Sequence, residues 1–140
     1  MPDRTLPRIE DVIAVAEFRS ALRHFLRRSE RIARKSGLTP QRYTLLMMIK
    51  GASDGSEQST VTELAERLQL AQSTVTELVR RAESAGLIER EQSQRDARVA
   101  HLRLTAEGER RLMLSFTELD AERAQLREAF ANLDGGVTGH

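Results

Sequence analysis

Thr60-Val61-Thr62-Glu63-Leu64-Ala65-Glu66-Arg67-Leu68, then Gln69-Leu70-Ala71, then Gln72-Ser73-Thr74-Val75-Thr76-Glu77-Leu78-Val79-Arg80-Arg81-Ala82-Glu83-Ser84-Ala85-Gly86: this stretch decides the fold. Thr60 followed three positions on by Glu63 is a capping-box signature, so a helix starts there. Leu64, Ala65 and Leu68 form a narrow apolar stripe, and the small Ala65 lets a second helix cross closely. Val75, Leu78, Val79 and Ala82 supply the facing stripe at helical spacing, with Leu70 in the turn between. Gly86 stands where a helix ends on a residue of positive φ. Ala71 occupies a position where a capping hydroxyl or Asx side chain is expected, giving up about 1 kcal/mol of capping.

The residues downstream turn this helix pair into something more specific. Leu87-Ile88-Glu89-Arg90-Glu91 and Val99-Ala100-His101-Leu102-Arg103-Leu104 each alternate apolar and polar, as half-buried strands do. The tip between them, Gln92 to Arg98, carries Arg95 and Arg98 around Asp96. The pattern predicts a helix-turn-helix with a wing, an arrangement that lays one helix in a DNA major groove and an arm in the neighbouring minor groove. Gln72, Ser73, Thr74, Thr76, Glu77, Arg80 and Arg81 fall between the apolar positions and are the candidate contacts of the second helix. Short hydroxyls suit close approach to bases and phosphate oxygens, and arginines suit phosphate. On the tip, Arg98 is the candidate for the electronegative minor groove, Arg95 for phosphate, and Asp96 for orienting Arg98. An ordinary helical hairpin with solvated hydroxyls would explain the two helices alone; the basic hairpin beside them weighs against it.

The runs Leu64-Ala65-Glu66-Arg67-Leu68, Ser73-Thr74-Val75-Thr76, Ala85-Gly86-Leu87-Ile88-Glu89-Arg90, Asp96-Ala97-Arg98 and Leu102-Arg103-Leu104-Thr105, with Glu107-Gly108 just beyond, resemble the MarR family of bacterial transcriptional regulators. The resemblance extends over essentially the whole chain. It implies a homodimeric winged-helix protein that binds a palindromic operator, most often as a repressor. It also implies relief of DNA binding by a small aromatic or phenolic effector, in a pocket between the reader lobe and the dimer helices. Arg19, His24, Tyr43 and Met47 are the candidate effector contacts, with Phe18, Leu22, Phe25, Arg23, Arg42 and Leu112 around them; for the apolar ones a plain core competes with this role.

With 140 residues the chain has the length of one domain, and a net charge of +1 does not by itself announce nucleic-acid binding. Any basic surface is therefore local, and Arg80, Arg81, Arg90, Arg95, Arg98 and Arg103 concentrate it in the reader segment. The absence of cysteine excludes disulfides, zinc-thiolate sites and thiol-based sensing. Met1 to Arg8 has no apolar core of a signal peptide, and no uninterrupted apolar run is long enough to span a bilayer, so a cytoplasmic location is expected. His24, His101 and His140 lie far apart, and neither a catalytic triad pattern nor a phosphate-cradling glycine loop is visible, so neither an enzyme nor a bound cofactor or metal is expected.

The remaining residues read as helices. Residues 9–35 form a long first helix, with Val15, Phe18, Leu22, Phe25 and Ile32 on one stripe and Ile9, Val12, Ile13 and Ala16 extending it; Gly37 stops it. Pro40 after Thr39 opens a second helix, and residues 51–59 read as a flexible polar loop. A last helix is expected from Thr105 to about Leu133. Its Leu112, Phe116, Leu119, Leu126, Phe130 and Leu133 form an a/d seam, interrupted by Arg123, that suits a second helix. Residues 134–140 read as a disordered tail. The chain is thus a single mainly α domain: a winged helix over 40–104 with a two- or three-stranded wing sheet, flanked by dimerisation helices over 9–35 and 105–133. A winged helix that engages protein instead of DNA, and a dimerisation module that reads nothing, are the rival classes.

Overall fold

Each helix of the central pair begins and ends where local chemistry dictates. In the computed structural model, which describes residues 6–138, Thr60 Oγ1 accepts from Glu63 N at 3.2 Å and Glu63 Oε1 accepts from Thr60 N at 2.8 Å. This closed capping box starts the helix Val61–Leu68. Gln69 ends it at φ 56°, its own N–H reaching Glu66 O and that of Leu70 reaching Ala65 O. The next helix, Gln72–Ser84, starts from Ala71 with no side-chain cap. It stops in a Schellman motif at Gly86, φ 77°: Gly86 N donates to Glu83 O and Leu87 N to Ala82 O. Thr60→Ala should lower stability by about 1 kcal/mol; calorimetry should record a melting point lower by a few degrees.

In chain order the elements are α1 (Ile9–Lys35), α2 (Pro40–Lys50), α3 (Val61–Leu68), α4 (Gln72–Ser84), β1 (Ile88–Gln92), β2 (Ala100–Leu104), α5 (Ala106–Thr117) and α6 (Asp120–Thr138). β1 and β2 pair antiparallel, with Ile88 opposite Leu104 and Gln92 opposite Ala100. The sheet has two strands, and Ser59 adds a single bridge to Leu102, with bonds of 3.0 and 2.8 Å. This is a winged helix-turn-helix with a mainly helical frame.

Two compact units divide the chain. Glu30–Phe116 contains the reader lobe. Its core joins Leu45, Leu46 and Ile49 of α2 to Leu64 and Ala65 of α3, Val75, Val79 and Ala82 of α4, and Leu87, Ile88, Leu102, Leu104 and Leu112. Each large side chain fully buried there contributes about 1.5–3 kcal/mol. The loop over 51–59 is tied down. Lys50 Nζ reaches Glu57 at 2.8 Å and Glu109 at 2.6 Å, and Arg67 donates to Met48 O and Gly51 O at the end of α2.

The other unit holds residues 1–29 and 117–140. Here Phe18 and Phe130 meet edge to face at 6.0 Å. Much apolar surface remains exposed: Leu6, Ile9, Val12, Ile13, Val15, Leu26 and Phe130.

Two expectations about the C-terminal segment require correction. The single helix from Thr105 to Leu133 is two, broken by a turn at Glu118 and Leu119. Leu119 is fully buried while Phe116 and Phe130 are exposed, so the expected a/d seam is not continuous. Arg123 ion-pairs with Asp120 in the first turn of the new helix, which marks the restart. Residues 134–138 are helical, where a tail was expected, although Gly135 and Gly136 each disfavour a helix by about 1 kcal/mol. The rest of the expected tail, residues 139 and 140, lies outside the described residues.

Candidate nucleic-acid interface

Burial fixes the outward face of α4. Val75, Val79 and Ala82 point into the core, so at 3.6 residues per turn Ser73, Thr76, Glu77 and Arg80 share the opposite side. Gln72, Ser73, Thr74, Thr76, Arg80 and Arg81 are exposed, and Glu77 is half-covered. Leu78 is half-buried at the edge of the core, so the apolar stripe is narrower than its four expected members. Gln72 Nε2 lies 3.4 Å from Thr62 Oγ1 of α3.

Glu77 gathers both cations of this face. Its Oε1 accepts from Arg80 Nε at 3.1 Å, and its Oε2 from Arg80 Nη2 at 2.5 Å and Arg81 Nε at 3.0 Å. Arg80, and then Arg81, hold its carboxyl below the usual carboxylate range, and Glu77 in turn raises Arg80. These spacings are the helical i, i+3 and i, i+4 positions at which side chains meet.

The wing tip is a tight local structure. Ser93 Oγ accepts from Arg95 N at 3.2 Å and Asp96 N at 3.3 Å, while Ser93 N and Val99 N close on Val99 O and Asp96 O. Asp96 Oδ1 accepts from Arg98 N at 3.0 Å and from Arg98 Nε at 3.2 Å, and its Oδ2 from Arg98 Nη2 at 3.4 Å. Arg98 lowers the Asp96 carboxyl in consequence. The Arg98 side chain is 90% exposed although Asp96 holds its guanidinium through Nε and Nη2. Arg95 is exposed beside it.

The six arginines of this segment divide into two groups. Arg80, Arg81, Arg95 and Arg98 stand on α4 and the tip. Arg90 forks onto Glu83 with two bonds of 2.8 Å, raising Arg90 and lowering Glu83. It braces β1 against the end of α4. Arg103 lies 3.8 Å from Glu91 across the strand pair. The basic surface is accordingly smaller than the arginine count. The Glu83–Arg90 brace leaves no trace in sequence spacing, because it joins a helix end to a strand.

The candidate effector contacts do not form one group within a unit. Arg19 and His24 are exposed on α1 in the terminal unit, His24 Nδ1 lying 3.0 Å from Ser20 O of its own helix. Tyr43 is buried in the lobe core and Met47 half-buried against it. Phe18 and Phe25 line a cavity of about 330 Å³ in the terminal unit together with Arg123, Leu126, Arg127 and Phe130. Among the described residues no cluster of His, Asp or Glu could hold a metal ion, and no helix is long and apolar enough to cross a membrane.

One acidic group elsewhere in the lobe gives a pH marker. Glu107 takes both Arg110 and Arg111, and those bonds, Arg110 first, pull its carboxyl down to about 2. A carboxylate depressed in the folded state adds stability at neutral pH that is lost as pH falls through that range. The Glu107 side-chain carbonyl resonance should titrate near that value, and Arg110→Ala should move it back toward the ordinary glutamate range.

The fold that carries this face is similar to that of known proteins. Residues 36–99 match a family model described as MarR family. Among solved structures, a MarR family transcription regulator is similar at 24% identity and a TM-score of 0.67, over 90% of this chain and 81% of that one. A mutant MarR from Escherichia coli, complexed with operator DNA, is similar at 19% identity and 0.63, over 81% and 77%. A mutant MepR from Staphylococcus aureus, bound to an oligodeoxyribonucleotide, is similar at 21% identity and 0.64, over 87% and 94%. No curated protein sequence matches the chain.

Proposed function

We propose that the chain is a MarR-type cytoplasmic transcriptional regulator, a repressor, that binds double-stranded DNA as a homodimer, a reading supported by the match of residues 36–99 to a MarR family model. The observation that carries this reading is the wing tip. An arginine side chain 90% exposed, its guanidinium oriented by a carboxylate two residues away, is a cation presented at the surface in a set rotamer. In the same unit α4 presents Ser73 and Thr76 with Arg80 and Arg81, short hydroxyls for base edges and cations for phosphate. Two similar folds have been solved on DNA. The exposed apolar residues of α1 and α6 supply a reason to dimerise, and a two-fold dimer matches a palindromic operator with half-sites about one helical turn apart.

Effector control belongs to the same reading. A small aromatic or phenolic molecule that binds the DNA-free form better than the bound form would relieve repression, by its differential affinity alone. Arg19, His24, Tyr43 and Met47 are the residues at which to look for it. Alanine at Arg19 or His24, both exposed, should change effector response while leaving operator affinity intact.

A gel shift on the DNA upstream of the protein's own coding sequence, across a salt series, tests the reading. Wild-type protein should shift it with log K falling linearly in log salt. Arg98→Ala should cost about 1–3 kcal/mol, most where A·T-rich flanks narrow the minor groove. Asp96→Ala should do similar damage despite removing a negative charge, because Arg98 then loses its held rotamer and must be ordered on binding. Tighter binding by Asp96→Ala would leave Asp96 as a plain surface carboxylate and sink the orienting role.

A further inference from the structure

Glu77 is the anomaly of this face. A carboxylate on a helix that approaches a polyanion is repelled by every phosphate it nears, yet it stands in line with Ser73, Thr76 and Arg80. A merely solvated glutamate would reach into water; this one holds the two arginines of the outward face in three hydrogen bonds of 2.5–3.1 Å. The trio of Glu77, Arg80 and Arg81 carries a net charge of +1 instead of +2. Arginine reaching for a phosphate from this helix must first share or leave its carboxylate.

We propose that Glu77 is the specificity-determining residue of α4: it restrains Arg80 and Arg81 on arbitrary DNA and accepts a hydrogen bond from a cytosine amino group in the operator. The inference rests on the DNA-binding reading above. Cytosine follows from what a carboxylate can accept. The major groove offers two amino donors, adenine N6 and cytosine N4, but adenine places its N7 acceptor beside the donor and cytosine does not. On a matching site the carboxylate gains a donor, so Arg80 and Arg81 turn to phosphate without leaving it unpaired. On any other site the carboxylate keeps its arginines, and phosphate contacts are forfeited. Discrimination therefore comes from both sides, a gained contact on the right sequence and a withheld charge on the wrong one.

Selection from a pool of random duplexes, followed by fluorescence anisotropy on the selected and a scrambled duplex, tests this with wild type, Glu77→Gln and Glu77→Ala. Thermal melting checks that each variant is folded. Wild type should enrich a site with one invariant cytosine per half-site. Glu77→Ala should flatten that column, and Glu77→Gln should move it to adenine, whose N6 and N7 suit an amide. Both variants should bind the scrambled duplex about tenfold more tightly near 0.1 M salt, with a salt slope steeper by about one unit, as one more phosphate contact requires. Preference for the selected duplex should fall at least tenfold. An unchanged cytosine column with an unchanged preference in folded variants overturns the role of Glu77 and leaves DNA binding standing. Failure of the wild type to enrich any sequence overturns the DNA-binding reading itself, and this proposal with it.

Discussion

Val12→Asp combined with Ile13→Asp is expected to convert the proposed homodimer, of twice the 15.8 kDa chain mass, into a monomer and to cost operator binding about a hundredfold or more. Both side chains are about half exposed, Val12 at 52% and Ile13 at 49%, so the single chain does not depend on them for its core. They lie on one stripe of α1 with Ile9, which is exposed as well. Apolar surface left in water at this density is worth about 25 cal/mol per Å² to whatever covers it, and a carboxylate placed there must be desolvated without a partner. A monomer keeps the contacts of one half-site only; a hundredfold corresponds to about 2.7 kcal/mol, a modest share of what a second half-site contributes. Light scattering gives the mass, circular dichroism checks the fold, and the gel shift gives the affinity. A variant that remains dimeric would move the dimer contact away from α1. Phe130→Asp, at a residue 62% exposed on α6, probes the other helix of the unit in the same way. Leu119→Asp would not serve, because Leu119 is fully buried and a carboxylate there would damage the fold itself.

The reader lobe was legible because its signals are local. Thr60 and Glu63 lie three apart and close a box, Gly86 supplies the positive φ that ends α4, and Val75 and Val79 recur at helical spacing and are fully buried. The Asp96–Arg98 pair spans two residues of one turn and was equally readable. The grip of Glu77 on Arg80 and Arg81 could have been read the same way, since it follows the helical i, i+3 and i, i+4 rule. What stayed hidden joins residues distant in the chain. Glu83 and Arg90 meet across a helix end and a strand, and Lys50 joins Glu57 to Glu109. Neither pair leaves a periodic mark.

The break between α5 and α6 was hidden for a different reason. Leucines and phenylalanines from Leu112 to Leu133 keep a heptad rhythm, and no glycine or proline interrupts residues 117–120. A periodic pattern reports which residues are apolar, not whether one axis carries them all. The available signal was Asp120 with Glu122 in a first turn and Arg123 three residues on, a helix start written inside the expected helix. Leu119 is fully buried instead of lying along a continuous seam.

Gly108→Ala should destabilise the lobe by about 3 kcal/mol or more, against the propensity rule. Gly108 is in the first turn of α5, where exchanging glycine for alanine ordinarily stabilises by about 0.5–1 kcal/mol. Here an added Cβ would stand 2.2 Å from Leu87 O and 3.1 Å from Leu87 C, backbone atoms that no rotamer change can clear. Leu87 O is already engaged, accepting from Thr105 N at 3.0 Å, while Thr105 Oγ1 donates to Gly86 O at 2.6 Å and accepts from Gly108 N at 3.1 Å. Thr105 thus ties the end of α4 to the start of α5 at the point where β1 leaves. Relieving the clash means lifting α5 from this junction, which strains these hydrogen bonds, each worth about 0.5–1.5 kcal/mol. It also disturbs the packing of Leu87 and Leu112, both buried, and overpacking alone costs typically about 1–3 kcal/mol. The steric term wins. Chemical denaturation should give a lower midpoint, and thermal melting a drop of roughly 10 °C, with operator affinity falling in proportion to the folded fraction. An unchanged or raised melting point would mean that α5 can shift from Leu87 at little cost, and that Thr105 does not fix the base of the wing.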